Sequence, residues 1–149
     1  MNLSLLSLDR VESLPGLQEL LLAAVQEADF WHTDPHSAAQ LLGDRTYGSG
    51  ESFLIVAQDD AKANKGFAVA VPFLDPLSGE RRPLLLFLWV ESGLRRHGIA
   101  RAMVLELRRL LKLEGSKGLQ ARIPHGDDAL LSMGERWGLV RQWEILADY

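Results

Sequence analysis

Apolar and polar positions follow different spacings along this chain, and each spacing predicts a different element. Leu84 to Val90 is a run of seven apolar residues without a polar interruption. The run is too short to cross a membrane, and its lack of alternation is typical of a strand that is covered on both faces. Between residues 14 and 28 the apolar positions recur with helical periodicity and predict an amphipathic helix; they are Leu17, Leu20, Leu21, Ala24 and Val25.

Turn residues divide the chain into an ordered series of such segments. Strands are expected over 3–8, 52–58, 66–73, 84–90, 119–123 and 140–147, the second to fourth forming a meander. Helices are expected over 14–28 with Pro15 in the first turn, over 34–42 with Asp34 as the N-cap, from about Gly98 onward, and over 127–137. Segments 47–51 and 75–79 are rich in turn-forming residues and predict a loop and a turn.

Length and composition restrict the class of protein. The 149 residues suffice for one domain with a sizeable core, so we expect a single domain over 1–149. The chain has no cysteine, which excludes disulfides and a cysteine nucleophile and is consistent with a reducing cytoplasm. The first residues lack a basic flank and a small-residue cleavage site, so they predict a strand and not a signal peptide. We therefore expect a cytoplasmic protein with no membrane partner.

The net charge of −4 is distributed unevenly. Residues 1–80 carry 4 basic and 12 acidic side chains, residues 81–117 carry 9 and 3, and residues 118–149 carry 3 and 5. A positive middle block favours a polyanionic ligand near it. For Arg108, Arg109 and Lys112, a solvated basic helix face is the simpler explanation. Because the whole chain is acidic and shows no basic and aromatic stripe, we expect no nucleic-acid partner.

The segment after the apolar run places small residues and arginines at the predicted start of the long helix. Arg95 and Arg96 add full positive charges, and the small residues Gly98 and Ala100 let the backbone approach a ligand closely. The first N–H groups of a helix have no intrahelical partner and carry partial positive charge, so an anion fits there. The sequence therefore predicts a phosphate site at this helix start.

Arg95 to Ala100 reads R-x-x-G-x-A, which resembles the acyl-CoA signature (Q/R-x-x-G-x-G/A) of the GNAT superfamily of N-acetyltransferases. The order of elements is similar to the GNAT layout along the whole chain, and the likeness is specific from about Leu84 to Leu139. The resemblance implies an α+β fold of three layers, in which a mixed, largely antiparallel sheet is flanked by helices and splayed between its fourth and fifth strands. It also implies acetyl-CoA as the co-substrate.

The same resemblance assigns residues to two parts of that cofactor. Backbone groups of Leu88, Trp89 and Val90 are expected to bind the pantetheine arm and the thioester carbonyl. The pyrophosphate is expected on the backbone amides of the loop formed by Arg95, Arg96, His97, Gly98, Ile99 and Ala100.

The usual acid and base of the family are both absent. Its closing helix usually ends Y-x-x-x-G-F, and here Gly134 stands at the tyrosine position while Leu139 replaces the phenylalanine. In the family that tyrosine often protonates the departing CoA thiolate. A base on the strand is also missing, because nothing from Leu84 to Val90 ionises.

Glu91 is the candidate proton acceptor, because it follows Val90 and is expected to lie close to the thioester. A plain surface carboxylate is the competing explanation. His125 has a suitable intrinsic pKa but is more simply a loop histidine, and Ser132 and His97 are given no catalytic role. Hydrogen bonding of the oxyanion type supplies much of the acceleration without any base, so catalysis does not require one.

Residues 29–36 fall between the first two helices, a region that lines the acceptor pocket in the resembling family. Asp29, Trp31, His32 and Asp34 are the candidates for contact with a cationic amine, which the acidic first half of the chain also favours. His32, Asp34 and His36 have a spacing that could hold a metal. Helix capping by Asp34 and ordinary loop histidines explain the same residues, and no metal is expected.

Two functions from different classes stay open. One is an N-acyltransferase that moves an acetyl group from acetyl-CoA to a small-molecule or peptide amine by direct attack on the thioester. The other is a catalytically inactive CoA-binding sensor or interaction module of the same fold. A dinucleotide-binding enzyme is a weaker third, because the chain lacks G-x-G-x-x-G. Edge strands and the apolar C-terminal segment leave a homodimer open.

Overall fold

The structure is a computed structural model that describes residues 4–8, 17–28, 34, 53–75, 77–116, 118–122 and 128–140. Several predicted features lie outside these residues. They are Pro15, the helix expected after Asp34, the loop at 47–51 and the last strand beyond Val140, which is itself outside regular structure.

Within the described part of the chain, five strands form one sheet in the order β1-β2-β3-β4-β5. They are β1 (Ser4–Leu8), β2 (Phe53–Gln58), β3 (Asn64–Leu74), β4 (Arg81–Val90) and β5 (Gln120–Ala121). The first four pair in antiparallel fashion, and β5 runs parallel to β4. The predicted strands and the mixed, largely antiparallel sheet are confirmed for the described residues.

The β3–β4 hairpin is longer than its apolar residues predict. Pairing continues to Leu74 and Arg81, beyond the predicted strand ends. The Asp75 carboxylate closes the connecting turn by accepting the backbone N–H groups of Leu77 and Ser78 at 2.8 and 2.9 Å. A tight turn keeps the chain paired up to its tip, so polar residues such as Arg82 join a strand that the apolar pattern alone begins at Leu84.

Helices cover the two faces of the sheet. They are α1 (Leu17–Ala28), α2 (Ile99–Leu113) and α3 (Asp128–Arg136), and a 3₁₀ turn at Ser92–Leu94 precedes α2. Leu20 and Ala24 of α1 pack in one buried cluster with side chains of β2 and β3 that include Phe67. Met103 and Leu107 of α2 belong to a second cluster on the other face. The predicted three-layer α+β arrangement is therefore confirmed.

A bulge in β4 sets which side chains face which layer. Val69 pairs with Phe87 and Ala70 pairs with Leu85, so Leu86 is an extra residue in β4. As a result Leu86 and the next residue, Phe87, both pack towards the α1 cluster. Beyond the bulge, alternation places Trp89 on the α1 face and Leu88 with Val90 on the α2 face.

The closing helix ends in a turn built around glycine. Gly138 has φ of 89°, and the N–H of Leu139 donates to the carbonyl of Gly134 at 3.0 Å, the pattern of a helix C-cap. No helix among the described residues is long and apolar enough to span a membrane.

Candidate functional site

The sheet opens between β4 and β5. The two strands pair only at Leu84 with Gln120 and Leu85 with Ala121, and Arg122, the next described residue, is outside the ladder. From Leu86 onward, β4 therefore has no described strand beside it on this edge. This opening is where the predicted splay lies.

The hydrogen-bond pattern of the β3–β4 ladder turns two peptide groups into the opening. The Glu91 N–H donates to the Lys65 carbonyl at 2.8 Å, so these residues form a hydrogen-bonded pair that continues the ladder. Because such pairs alternate in antiparallel strands, the N–H and C=O groups of Leu88 and Val90 point away from β3. No described residue accepts the N–H of either residue. A ligand entering the opening therefore meets two N–H groups that have no partner among the described residues, whereas the Val90 carbonyl accepts a bond from Arg95.

The segment between β4 and α2 carries a second set of unpaired N–H groups. Arg96 and Gly98 both have left-handed backbones, with φ of 66° and 78°. Ala102 donates the first helical hydrogen bond, to the Gly98 carbonyl at 3.0 Å. Among the described residues, none accepts the backbone N–H groups of residues 96–101. A helix start combined with left-handed residues is an arrangement that binds anions.

Gly98 satisfies two requirements of this turn. Its φ of 78° is a conformation that other L-residues rarely adopt, and a Cβ built there meets no described atom within 4 Å. The space above the glycine is therefore open. The role of Gly98 in binding a phosphate stays a prediction.

Arg95 is held by the protein itself and does not point freely at the turn. Its Nε donates to the carbonyl oxygen of Val90 at 3.0 Å, and its Nη2 pairs with Oε1 of Glu27 at the end of α1. The indole Nε1 of Trp89 donates to the other Glu27 oxygen at 2.9 Å. These bonds, that of the indole first and that of Arg95 second, lower the pKa of Glu27 below its usual value.

The other charged residues of the turn have different surroundings. Arg96 is exposed, and no described residue pairs with its guanidinium. His97 is also exposed, and its Nδ1 lies 3.1 Å from the Leu94 carbonyl oxygen and 2.9 Å from that of Arg95. His97 therefore braces the 3₁₀ turn with its ring. Ile99, the first residue of α2, is buried and Ala100 is half-buried, which leaves their backbone groups as what they offer to the turn.

Glu91 lies at the end of β4 in an ion pair. Its Oε2 is 3.2 Å from Nζ of Lys65, and the Glu91 side chain is 46% exposed. The cross-strand register places this pair on the same face as Phe67 and Trp89. The carboxylate is thus beside the opening and accessible to water.

Several predicted site residues lie outside the described residues. Asp29, Trp31, His32, His36 and His125 belong to this group, and Asp34 is described only as an exposed residue outside regular structure. Within the described part of the chain, no group of three or more His, Cys, Asp or Glu residues is placed to hold a metal ion. The acceptor assignments therefore stay predictions.

The closing helix α3 contains Gly134, the residue that stands at the family's tyrosine position. Gly134 is buried in α3, and Ser132 is exposed. A shallow cleft of about 80 Å³ separates α2 from the end of α3; it is lined by Arg101, Val104, Leu105, Arg108, Arg136 and Trp137. The Arg108 guanidinium is already hydrogen-bonded there, because its Nη1 donates to the Trp137 carbonyl at 2.6 Å. None of these described lining side chains is a proton donor suited to a thiolate.

Glu27 and Lys65 belong to the site, and the sequence did not reveal them. One signal for Glu27 was present: the last turn of α1 has no basic residue and contains this carboxylate. A negative charge there opposes the helix dipole, so it indicates a partner elsewhere. For Lys65 the signal was the cross-strand register, which only the folded hairpin supplies.

No protein-family model matches this chain, and no curated protein matches it. Solved structures match it along its full length. The aminoglycoside N-acetyltransferase AAC(6')-Iy, in complex with a bisubstrate analogue containing CoA, is 14% identical with TM-score 0.76, covering 100% of this chain and 98% of its own. A Pyrococcus furiosus protein provisionally named an acetyl transferase is 16% identical with TM-score 0.81, covering 99% of each chain.

A third match has a different kind of acceptor in its name. It is the ribosomal-protein-alanine N-acetyltransferase of Brucella melitensis, 18% identical with TM-score 0.66 and 99% coverage of each chain. At these identities the likeness establishes the fold. The chain has the fold of the GNAT acetyltransferases, as its sequence motif predicts.

Proposed function

We propose that this chain is an N-acyltransferase that moves an acetyl group from acetyl-CoA to an amine. The observation that carries the proposal is the row of N–H groups at residues 96–101, which no described residue accepts, beside an opening in the sheet. An anion site at a helix start is common to many enzymes. Its position at the end of β4 in this fold makes a CoA pyrophosphate the ligand it fits best.

The pyrophosphate contacts are proposed for the backbone of the turn. The N–H groups of Arg96, His97, Gly98, Ile99 and Ala100 have no partner among the described residues and converge where α2 begins. The side chain of Arg96 is available to add a full charge. Arg95 contributes in another way, because its guanidinium already binds Glu27 and the Val90 carbonyl.

The thioester arm is proposed to lie in the opening beside Leu88, Trp89 and Val90. Acetyl-CoA supplies an activated acyl group, and the chain supplies orientation. The N–H of Val90, turned away from β3, is suited to hydrogen-bond the thioester carbonyl and to stabilise negative charge on that oxygen. The attacking amine would approach from the open face, which converts a bimolecular encounter into an oriented one.

Glu91 is the proposed proton acceptor. The carboxylate lies one residue beyond Val90, and its partial exposure leaves room for a water between it and the amine. Lys65 holds the carboxylate in place through their ion pair. We assign no side chain to protonation of the leaving thiolate, since Gly134 replaces the tyrosine. A thiol has a pKa of about 8.5, so water can supply the proton at neutral pH.

The acceptor is proposed to be a small-molecule or peptide amine that binds beside Asp29, Trp31, His32 and Asp34. The acidic first half of the chain supports a cationic acceptor. The structural neighbours include enzymes named for aminoglycosides and for a ribosomal protein, so the fold serves both acceptor classes. We also propose that the chain works as one domain over 1–149, in the cytoplasm, with no nucleic-acid or membrane partner.

Two measurements test the proposal. Isothermal titration with CoA and acetyl-CoA measures binding, and an assay for released thiol over a panel of polyamines, aminoglycosides and peptides measures transfer. Binding together with amine-dependent thiol release is expected. Binding without release from any amine would instead support an inactive CoA-binding module, and absence of binding would refute the pyrophosphate site.

A further inference from the structure

Arg95 joins three separate elements at the edge of the proposed cofactor site. Its Nε binds the Val90 carbonyl at the end of β4, and its Nη2 binds Glu27 at the end of α1. Its own backbone continues directly into Arg96, the first left-handed residue of the turn. The conformation of the turn is therefore tied to α1 through a side chain that precedes it.

Glu27 is fixed from a second direction as well. The indole of Trp89 donates to Oε2 at 2.9 Å, while Arg95 takes Oε1. Both carboxylate oxygens of Glu27 thus accept a hydrogen bond. The planar guanidinium can contact Val90 and Glu27 at the same time. A lone surface ion pair contributes little, but this pair belongs to a network with several defined bonds.

The charge of Glu27 is unexpected at this place. A carboxylate repels a polyanion that binds within about one Debye length of it, about 8 Å at physiological ionic strength. A carboxylate beside a phosphate site is therefore expected to weaken binding. The Arg95 charge, which the sequence offered as a phosphate contact, is at the same time neutralised by Glu27. A direct electrostatic role for this pair in phosphate binding is therefore disfavoured.

We infer that Glu27 and Arg95 act together as a positioning pair for the CoA turn. The inference rests on the proposed function. In this role Arg95 holds the Val90 peptide and the start of the turn in one arrangement, and Glu27 fixes the Arg95 guanidinium. Because Glu27 is two residues before Asp29, the pair also connects the cofactor turn to the segment proposed to contact the acceptor.

The direction in which Glu27→Gln changes CoA affinity distinguishes a positioning role from a direct effect of charge. Glu27→Gln removes a negative charge near the turn, so a purely electrostatic view predicts tighter CoA binding. A positioning role predicts weaker binding, by about fivefold or more, as for typical coupling between sites. Isothermal titration with CoA measures the difference, and competition by ADP tests whether the loss lies in the diphosphate part.

Arg95 provides the second half of the test. Arg95→Lys keeps the charge but lacks the planar fork, so it is expected to lose CoA affinity by about as much as Glu27→Gln. The double variant Glu27→Gln with Arg95→Lys is expected to be no weaker than either single variant, since partners in one network are not additive. Two independent losses that multiply would overturn the inference.

Glu106→Gln is the matched control. Glu106 also pairs with an arginine, Arg109, at 2.5 Å, but within α2 and away from the turn. The CoA affinity of Glu106→Gln is expected to stay within about twofold of that of the unaltered protein, because exposed ion pairs contribute little. If Glu27→Gln does not fold, Arg95→Lys carries the test alone. Tighter binding by Glu27→Gln overturns only this inference, whereas an unaltered protein that does not bind CoA overturns the proposed function.

Discussion

The Nε of Arg95 donates to the carbonyl oxygen of Val90 at 3.0 Å, although the same residue was expected to direct its charge at a phosphate. Val90 ends the strand whose N–H groups face the opening, and Arg95 precedes residues 96–101, whose N–H groups have no described partner. The bond therefore links the two parts of the proposed acetyl-CoA site. In the proposed site, the first arginine of the motif therefore acts by positioning these two parts.

Gly98 offers the most direct test of the pyrophosphate site. Gly98→Ala is expected to weaken CoA binding by about tenfold or more, because the site depends on a left-handed residue with open space above it. Isothermal titration measures the affinity. A left-handed non-glycine residue also costs about 1–2 kcal/mol of unfolding free energy, so a matched control is needed.

Gly79→Ala is that control. Gly79 has φ of 72° and open space around its Cβ position, but it lies in the turn between β3 and β4. We expect a similar loss of stability in the two variants and unchanged CoA affinity in Gly79→Ala. Equal CoA affinities for both variants would show that the α2 start is not the phosphate site.

Glu91→Gln is expected to slow acetyl transfer by about 100-fold while leaving CoA affinity nearly unchanged, as for the loss of a general base. The measurement is thiol release with saturating amine, followed as a function of pH together with titration of CoA. Glu106→Gln again serves as the charge-matched control. Equal rates for Glu91→Gln and the unaltered protein at every pH would remove Glu91 from the mechanism.

The lowered pKa of Glu27 predicts how the stability of the folded protein depends on pH. This pKa is lowered in the folded protein by the Trp89 indole and then by Arg95, so the unfolded state binds protons first as the pH falls. The contribution of Glu27 is therefore complete above the unfolded pKa, near 4.5, and is lost as the pH falls through the lower folded value. Among the described residues, Lys65 and Glu91 form a further charged pair on this face.

Urea unfolding of the unaltered protein and of Glu27→Gln, at neutral pH and below the folded pKa, checks this prediction. The unaltered protein is expected to be more stable at neutral pH, and the difference is expected to shrink in acid. A difference that stays constant or grows in acid would contradict the assignment of the two bonds to the ionised carboxylate.

Gly66 carries a prediction about the edge of the site. A Cβ at Gly66 would lie 2.8 Å from the Trp89 carbonyl oxygen and 3.4 Å from Cε of Met103. Gly66→Ala must displace backbone, so it is expected to lower the unfolding free energy by about 1–3 kcal/mol, as for other overpacked sites. Gly118→Ala, where nothing lies within 4 Å, is the control and should be nearly neutral. Equal denaturation midpoints would refute the close approach of β3 and β4.

The interior strand and the helix start could be predicted because their signals are local. Leu84 to Val90 indicated a strand covered on both faces, and the structure places buried clusters on either side of the sheet. Gly98 and the apolar positions after it indicated a helix that begins there, and α2 begins at Ile99. Such signals depend on residues within one or two turns of each other.

The partners of the site residues required the folded chain. Glu27 and Arg95 are 68 residues apart, and no periodicity relates a helix end to a turn that follows the fourth strand. The bulge at Leu86 likewise arises from pairing with β3 and decides which β4 side chains face α1. Local hydrophobic spacing thus determined the elements and the motif, because secondary structure and helix-start chemistry depend on neighbouring residues. Tertiary packing alone decided that Arg95 faces Glu27, because that choice depends on which distant carboxylate the fold brings within reach.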